Sequence, residues 1–397
     1  MKGIDRPIVF VLAVVLGIPL AGCQKSYSLN PVGAGVPPTT PGVSTTVTPS
    51  QTVSTWVSPT PTPTPVIPTP SFTSTLTMPS PTGTPTATVT LASDTATWTP
   101  SPTATSGPTC ANPYVFDLEW DGSTSGKAFY GPNGAWLDPS GNLYVADEGG
   151  WRVVEFTLTG QTLSQWTFGG VCPDFNEPSG VAVLPSGNFF VSLQMGTDAH
   201  HLGLYMPNGT NLAWWGGLGT GPGQFDAPGA ITLDPSGNLY VADSLNDRVQ
   251  KFNSSGSFLQ QWGSTGTGNG QFNHPGGLAV DGSAHLYVVD NGNGRIQKFD
   301  LSGNYLSQWG SPGTASGQFQ NPRGIATDSS GDVYVTDTWN YRVQKFRSDG
   351  TFVTLWGVDG MGPGTFAVAA GIVVDAAGNV YVVDSVRDKV IRFKPGC

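Results

Sequence analysis

Acids and bases recur at a fixed interval from about residue 112 to the end of the chain. Asp147/Arg152, Asp243/Arg248, Asp290/Arg295, Asp337/Arg342 and Asp384/Lys389 each place a base five residues after an acid. Five carboxylates could form a metal ring. A pair repeated in nearly every unit is instead expected to do what every unit needs, which is to hold a turn. Positions that differ between units carry more information. Glu177, His274 and Asn321 each precede a proline, and Arg323 follows one. A carboxylate, an imidazole, an amide and a guanidinium could recognise a polar ligand or, around a divalent ion, do acid–base work. Trp151, Trp339, Tyr341 and Arg387 lie in variable loops, where aromatic rings beside polar groups suit a peptide or sugar. Asp198, His200 and His201 are further metal-ligand types, but adjacent histidines on an extended strand point to opposite faces and chelate poorly together. No Ser/His/Asp or Cys/His arrangement emerges.

A repeat positions these groups. Six units align on Asp138, Leu184, Asp234, Asp281, Asp328 and Asp375, at spacings of 46, 50, 47, 47 and 47 residues. Such a period marks a solenoid, a propeller or an array. In the fourth unit, residues 277–280 and 286–289 are short apolar runs, and 296–299 and 305–309 alternate. Gly, Asn, Asp, Ser or Pro bound each run, so each reads as a strand of about four or five residues. Four strands in about 47 residues make one propeller blade. A tryptophan ends the fourth strand at Trp166, Trp215, Trp262, Trp309 and Trp356, and another, Trp120, precedes the first unit. The last unit has no fourth strand before Cys397. The segment around Tyr114 to Trp120 is expected to complete it and so remove two open sheet edges. The expected fold is all-β: a six-bladed β-propeller over residues 109–397. Its loops between strands two and three, and between successive blades, share one face and are the long, variable ones. Function is expected there, with Glu177, His274, Asn321 and Arg323 around the mouth of the central channel.

The units resemble the NHL repeat. The motifs are Pro-x-Gly-Leu-Ala-x-Asp at 275–281, Gly-Asn-x-Tyr-Val-x-Asp at 237–243 and Arg-Val-Gln-Lys-Phe at 248–252. The resemblance covers the whole region after residue 112 and implies the propeller fold; such propellers host enzymes, binding modules and scaffolds alike. Among similar propellers, the peptidyl-hydroxyglycine lyase implies a zinc ion on three histidines from different blades. Here only His274 is expected near the channel. Gluconolactonase-like propellers imply a calcium site of Glu, Asn and Asp, which Glu177 and Asn321 match in part. A hydrolase or lyase using Glu177, His274 and Asn321 around a divalent metal is therefore the alternative to binding without catalysis, for which no cofactor is expected.

The N-terminus is different material. Lys2 and Arg6 precede a 14-residue apolar run at 7–20, short of the roughly 20 residues a spanning helix needs. Leu20-Ala21-Gly22-Cys23 resembles a bacterial lipobox. This implies a signal peptide at 1–22, a lipid on Cys23 and residence outside the cytoplasm, anchored to the cell envelope. Residues 23–108 are rich in Pro, Thr and Ser and are expected to form a disordered stalk. At ~3.1 Å per residue it would reach at most about 260 Å. In an oxidising compartment Cys110 and Cys397, expected at the same seam, suit a disulfide. Net charge is −10, and only Lys2, Arg6, Lys25, Asp5 and Asp94 fall before residue 109. The propeller is thus strongly acidic, which argues against a nucleic-acid partner. The expectation is a monomer that binds protein or glycan at the envelope and meets the membrane only through its anchor.

Overall fold

The computed structural model describes residues 113–168, 177–194 and 200–396. Among them are six four-stranded sheets. Blade one comprises Pro132–Leu137, Leu143–Asp147, Arg152–Phe156 and Thr162–Thr167, from the inside outward. Blades two to five repeat this antiparallel meander from Pro178, Pro228, Pro275 and Pro322. The sixth is composite. Its inner strands are Ala369–Val374, Val380–Asp384 and Lys389–Pro395, and its outer strand is Tyr114–Trp120 from the start of the propeller. Neighbouring inner strands touch all the way round, including Ala369–Val374 against Pro132–Leu137, so the ring is closed.

Burial follows position in the blade. Second strands such as Leu239–Asp243 lie between two neighbouring blades and are buried throughout, which is why they read as continuous apolar runs. Outer strands such as Tyr305–Trp309 alternate half-buried and exposed residues. The tryptophan ending each outer strand packs toward the next blade. Trp309 lies 5.9 Å from Phe346, and Trp262 lies 6.1 Å from Phe299, centroid to centroid. The next blade's outer turn must come down onto that indole. Gly303 does so with φ +77°, and a Cβ there would sit 2.7 Å from the Trp262 ring. A second aromatic, such as Phe319, packs 5.6 Å from Phe346 within its own blade.

The first turn of each blade is held by its aspartate. Asp281 accepts from the Ser283 and His285 amides at 2.9 Å each and from the Tyr287 hydroxyl at 2.9 Å. These are the side-chain-capped turns the Asp/Gly pattern predicts. Closure of the ring is rich in charge. Glu119 receives Arg387 at 2.9 Å and also Lys389; Asp117 receives Lys394 at 2.6 Å and also Arg392. Tyr114 stacks on Trp356 at 4.1 Å, and its hydroxyl lies 2.9 Å from that of Tyr334. The expected signal peptide, stalk, Cys23, Cys110–Cys397 pair and Asp198 lie outside the described residues.

Candidate functional site

Four of the five acid–base pairs are structural. Asp290 accepts from Arg295 Nε at 2.7 Å, from Gln297 at 3.0 Å and from the Asn273 amide at 2.8 Å. Arg295 gives its remaining protons to the carbonyls of Thr267, Gly268 and Gln271 and to Gln308. Asp243/Arg248 and Asp337/Arg342 repeat the network, and Asp147/Arg152 a variant of it. A charge this buried persists because it is paired and fully hydrogen-bonded, and no carboxylate oxygen is left for a metal. The fifth pair does not form. Lys389 turns to Glu119 on the closing strand, and Asp384 caps the backbone amides of Ala367, Val368, Val386 and Arg387 instead. A lysine lacks the guanidinium fork that spans carboxylate and loop carbonyls. Arg387 takes over that role: it is 7% exposed, donating to Thr365 at 2.6 Å and pairing with Glu119. It is not a side chain free in a loop.

The residue closing each second-to-third turn is left-handed in all six blades: Trp151, His200, Asp247, Gly294, Tyr341 and Asp388, with φ between +52° and +66°. Repetition in every blade marks this as architecture rather than strain stored for function. In blades three and six the aspartate accepts from the next blade, Asp247 from the His274 amide and Asp388 from the Gly131 amide, both at 2.7 Å. In blade two His200 Nδ1 does the same for the Ala227 amide at 2.8 Å. Tyr341 is half-buried against a hydrophobic cluster, and Trp151 is half-buried in the same kind of turn.

Glycine occupies this position in blade four, and the space it leaves is a groove. An open groove of about 630 Å³ is lined by Asn291, Gly292, Gly294, Pro312, Gly313, Phe319, Gln320, Asn321 and Trp339. None of these is ionisable. Trp339 is 61% exposed, and Asn321 stands beside it. The loop face as a whole is apolar at its tips. Tyr130, Leu218, Leu245, Trp339, Val358, Met361 and Val386 are each more than half exposed, and no other described large apolar side chain is. Tyr130, Val386, Val358 with Met361, and Trp339 occupy successive loops, linked by bonds such as Gly131 to Asp388 and Arg387 to Thr365.

The channel mouth holds a different group. Asn133 Nδ2 donates to Glu148 Oε2 at 2.8 Å. Burial pushes the Glu148 carboxyl above its ordinary range, against the Asn133 bond and the Arg323 charge. Burial also raises Glu177, and the Glu148 charge adds to it. The Arg323 guanidinium is lowered by the surrounding walls, with Glu148 opposing, yet it stays open to solvent, as expected inside a water-accessible channel. Among the described residues neither the Glu177 carboxylate nor the Arg323 guanidinium has a hydrogen-bond or ion-pair partner. Glu148 was missed by sequence reasoning. Its signal was the column after each strand-two end: Glu148, Gln194, Ser244, Asn291, Thr338 and Ser385, with one ionisable member.

The metal set drawn from Glu177, His274 and Asn321 is not brought together. His274 is exposed with Nδ1 2.6 Å from Asn273, Asn321 faces the groove, and Glu177 faces Glu148. The other histidines are dispersed too. His200 serves Ala227, His285 lies 2.9 Å from Asp281 on the opposite face, and His201 packs near Trp214. Among the described residues no group of three or more His, Cys, Asp or Glu could hold a metal.

The NHL repeat matches residues 272–299 and 319–346. The chain thus carries NHL repeats at these residues, within a six-bladed β-propeller. Peptidyl-glycine alpha-amidating monooxygenase A of Xenopus laevis is 32% identical over 151 residues, which cover 34% of this chain and 16% of that one. Peptidyl-alpha-hydroxyglycine alpha-amidating lyase 1 of Drosophila melanogaster is 33% identical over 146 residues, covering 33% of this chain and 27% of that one. The match thus spans at most about a quarter of either relative's length. A gluconolactonase from Xanthomonas campestris superposes with a TM-score of 0.51 at 17% identity, over 67% of this chain and 86% of that one. At that identity the likeness is one of fold.

Proposed function

We propose that the protein is a binding module of the cell envelope, lipid-anchored outside the cytoplasm, whose loop face captures a protein or glycan without transforming it. The observation that supports this is the one-sided placement of the most exposed apolar side chains. Contiguous exposed apolar surface on a soluble domain marks an interaction site. The Trp339 groove is its most specific part. An exposed indole offers a flat apolar platform, and the Gln320 and Asn321 amides beside it can both donate and accept. Its uncharged lining suits a neutral glycan or an extended peptide, and the acidic domain disfavours polyanions.

The test is Trp339→Ala in the full chain, profiled against immobilised envelope glycans and peptides. Binding is expected to weaken by at least roughly tenfold, as for a central aromatic anchor. Thermal stability should stay within about 0.5 kcal/mol, as for an exposed position. An unchanged binding profile would sink the reading.

A further inference from the structure

We propose that the channel mouth is a second, independent site for a small zwitterion of the amino-acid class, with Arg323 taking its carboxylate and Glu148 and Glu177 its ammonium. The first support is a break in the repeat. After the strand-two aspartate, Ser244, Asn291 and Thr338 donate across to the carbonyls of Pro275, Pro322 and Ala369 in the next blade, at 2.8, 2.7 and 2.6 Å. These bonds stitch the blades together. Ionised Glu148 has no proton to donate to the matching carbonyl, that of Pro178. Blade six also lacks the stitch, its Ser385 bonding Val368 within the same blade, but blade one alone places a carboxylate at this position, oriented by Asn133. The same register sets Glu148 beside Glu177, the residue before Pro178.

The second support is Arg323. The position that Arg323 holds in blade five is Gly229, Gly276 and Ala370 in blades three, four and six. These small residues leave the channel open, and the blade-five guanidinium enters it with no protein acceptor. A guanidinium fork matches a carboxylate through two parallel hydrogen bonds. Two neighbouring carboxylates repel one another, and a ligand ammonium between them removes that repulsion. An anion alone would face Glu148 and Glu177, and a cation alone would face Arg323. A ligand carrying both signs satisfies both walls.

The experiment is calorimetric titration of the full chain with glycine, alanine and phenylalanine, with their N-acetyl and C-amide derivatives, and with calcium chloride. At least one free amino acid should bind saturably. Capping either end should weaken it by at least roughly tenfold, the value of one charge-assisted contact. Arg323→Gln and Glu177→Gln should each do the same. The proposal is overturned by no saturable heat from any amino acid up to ~10 mM, far weaker than the millimolar affinities of small ligands. It is equally overturned if capped and free forms bind alike, or if calcium alone binds. Should a variant fail to fold, the comparison of capped and free ligands on the unmodified chain still decides.

Discussion

At the residue scale, identical chemistry has two fates here, decided by partners. Asp290 is fully buried yet saturated by an arginine, two amides and a backbone N–H. Asp290→Ala would strand the buried Arg295 guanidinium and should cost about 3–5 kcal/mol in urea unfolding; a loss under ~1 kcal/mol would contradict the structural role. Glu148 is the opposite case. Its carboxyl is raised by burial, so its ionised form is less favourable in the folded chain than in the unfolded one. Such a group favours folding below the unfolded carboxylate range and loses that contribution as pH rises through the folded pKa. Glu148→Gln keeps an acceptor for Asn133 and removes the charge. It should therefore raise Tm at neutral pH, with the gain vanishing near about pH 4, where the wild-type carboxyl is itself protonated. A variant with no stabilisation at neutral pH would contradict this sign. A carboxylate kept at a cost to stability is what a binding site looks like.

At the scale of elements, the closing strand differs from the other outer strands. Those are joined to their blades by continuous chain, whereas Tyr114–Trp120 is held by pairing alone, with Asp117 and Glu119 set against four basic residues. Burial opposes ionisation of Asp117, but the Lys394 and Arg392 bonds outweigh it and hold its carboxyl below the usual range. That contribution is present above the unfolded pKa and lost as pH falls through the folded one. Glu119→Gln leaves Arg387 buried without its anion and should destabilise by about 1–3 kcal/mol. The loss should appear first as faster amide exchange in Tyr114–Trp120, ahead of the rest of blade six; uniform exchange across that blade would refute the latch.

At the scale of the molecule, the two ends of the propeller meet at this seam. The Gly396 amide donates to the Pro113 carbonyl at 2.9 Å. We propose that a Cys110–Cys397 bond locks it. Non-reducing peptide mapping should recover the cross-linked pair, and reduction should lower Tm, since a loop this long favours a disulfide of about 5 kcal/mol in the chain-entropy model. Recovery of both thiols free would dismiss the bond. Lipid attachment at Cys23 is tested by labelled fatty-acid incorporation in the native host, expected to vanish in Cys23→Ser while the propeller still folds.

The sequence by itself determined the architecture. The period, the strand-length apolar runs, the turn aspartates and the displaced Trp120 each follow from local rules, and six repetitions make them mutually consistent. It also made the Asp/Arg pairs legible as structure, because they recur. Only the tertiary structure decided which unusual residues meet. Lys389 leaves Asp384 because Glu119 arrives from 270 residues away. Arg387 is drawn inward for the same reason, and His200 stands in for an aspartate as a hydrogen-bond acceptor. The groove beside Trp339 exists because Gly294 in the preceding blade supplies no side chain, and Glu148, Glu177 and Arg323 come from three different blades. Local spacing fixes strands and turns because those interactions span a few residues. The candidate sites lie where the ring brings distant blades together, and no short-range pattern encodes that meeting.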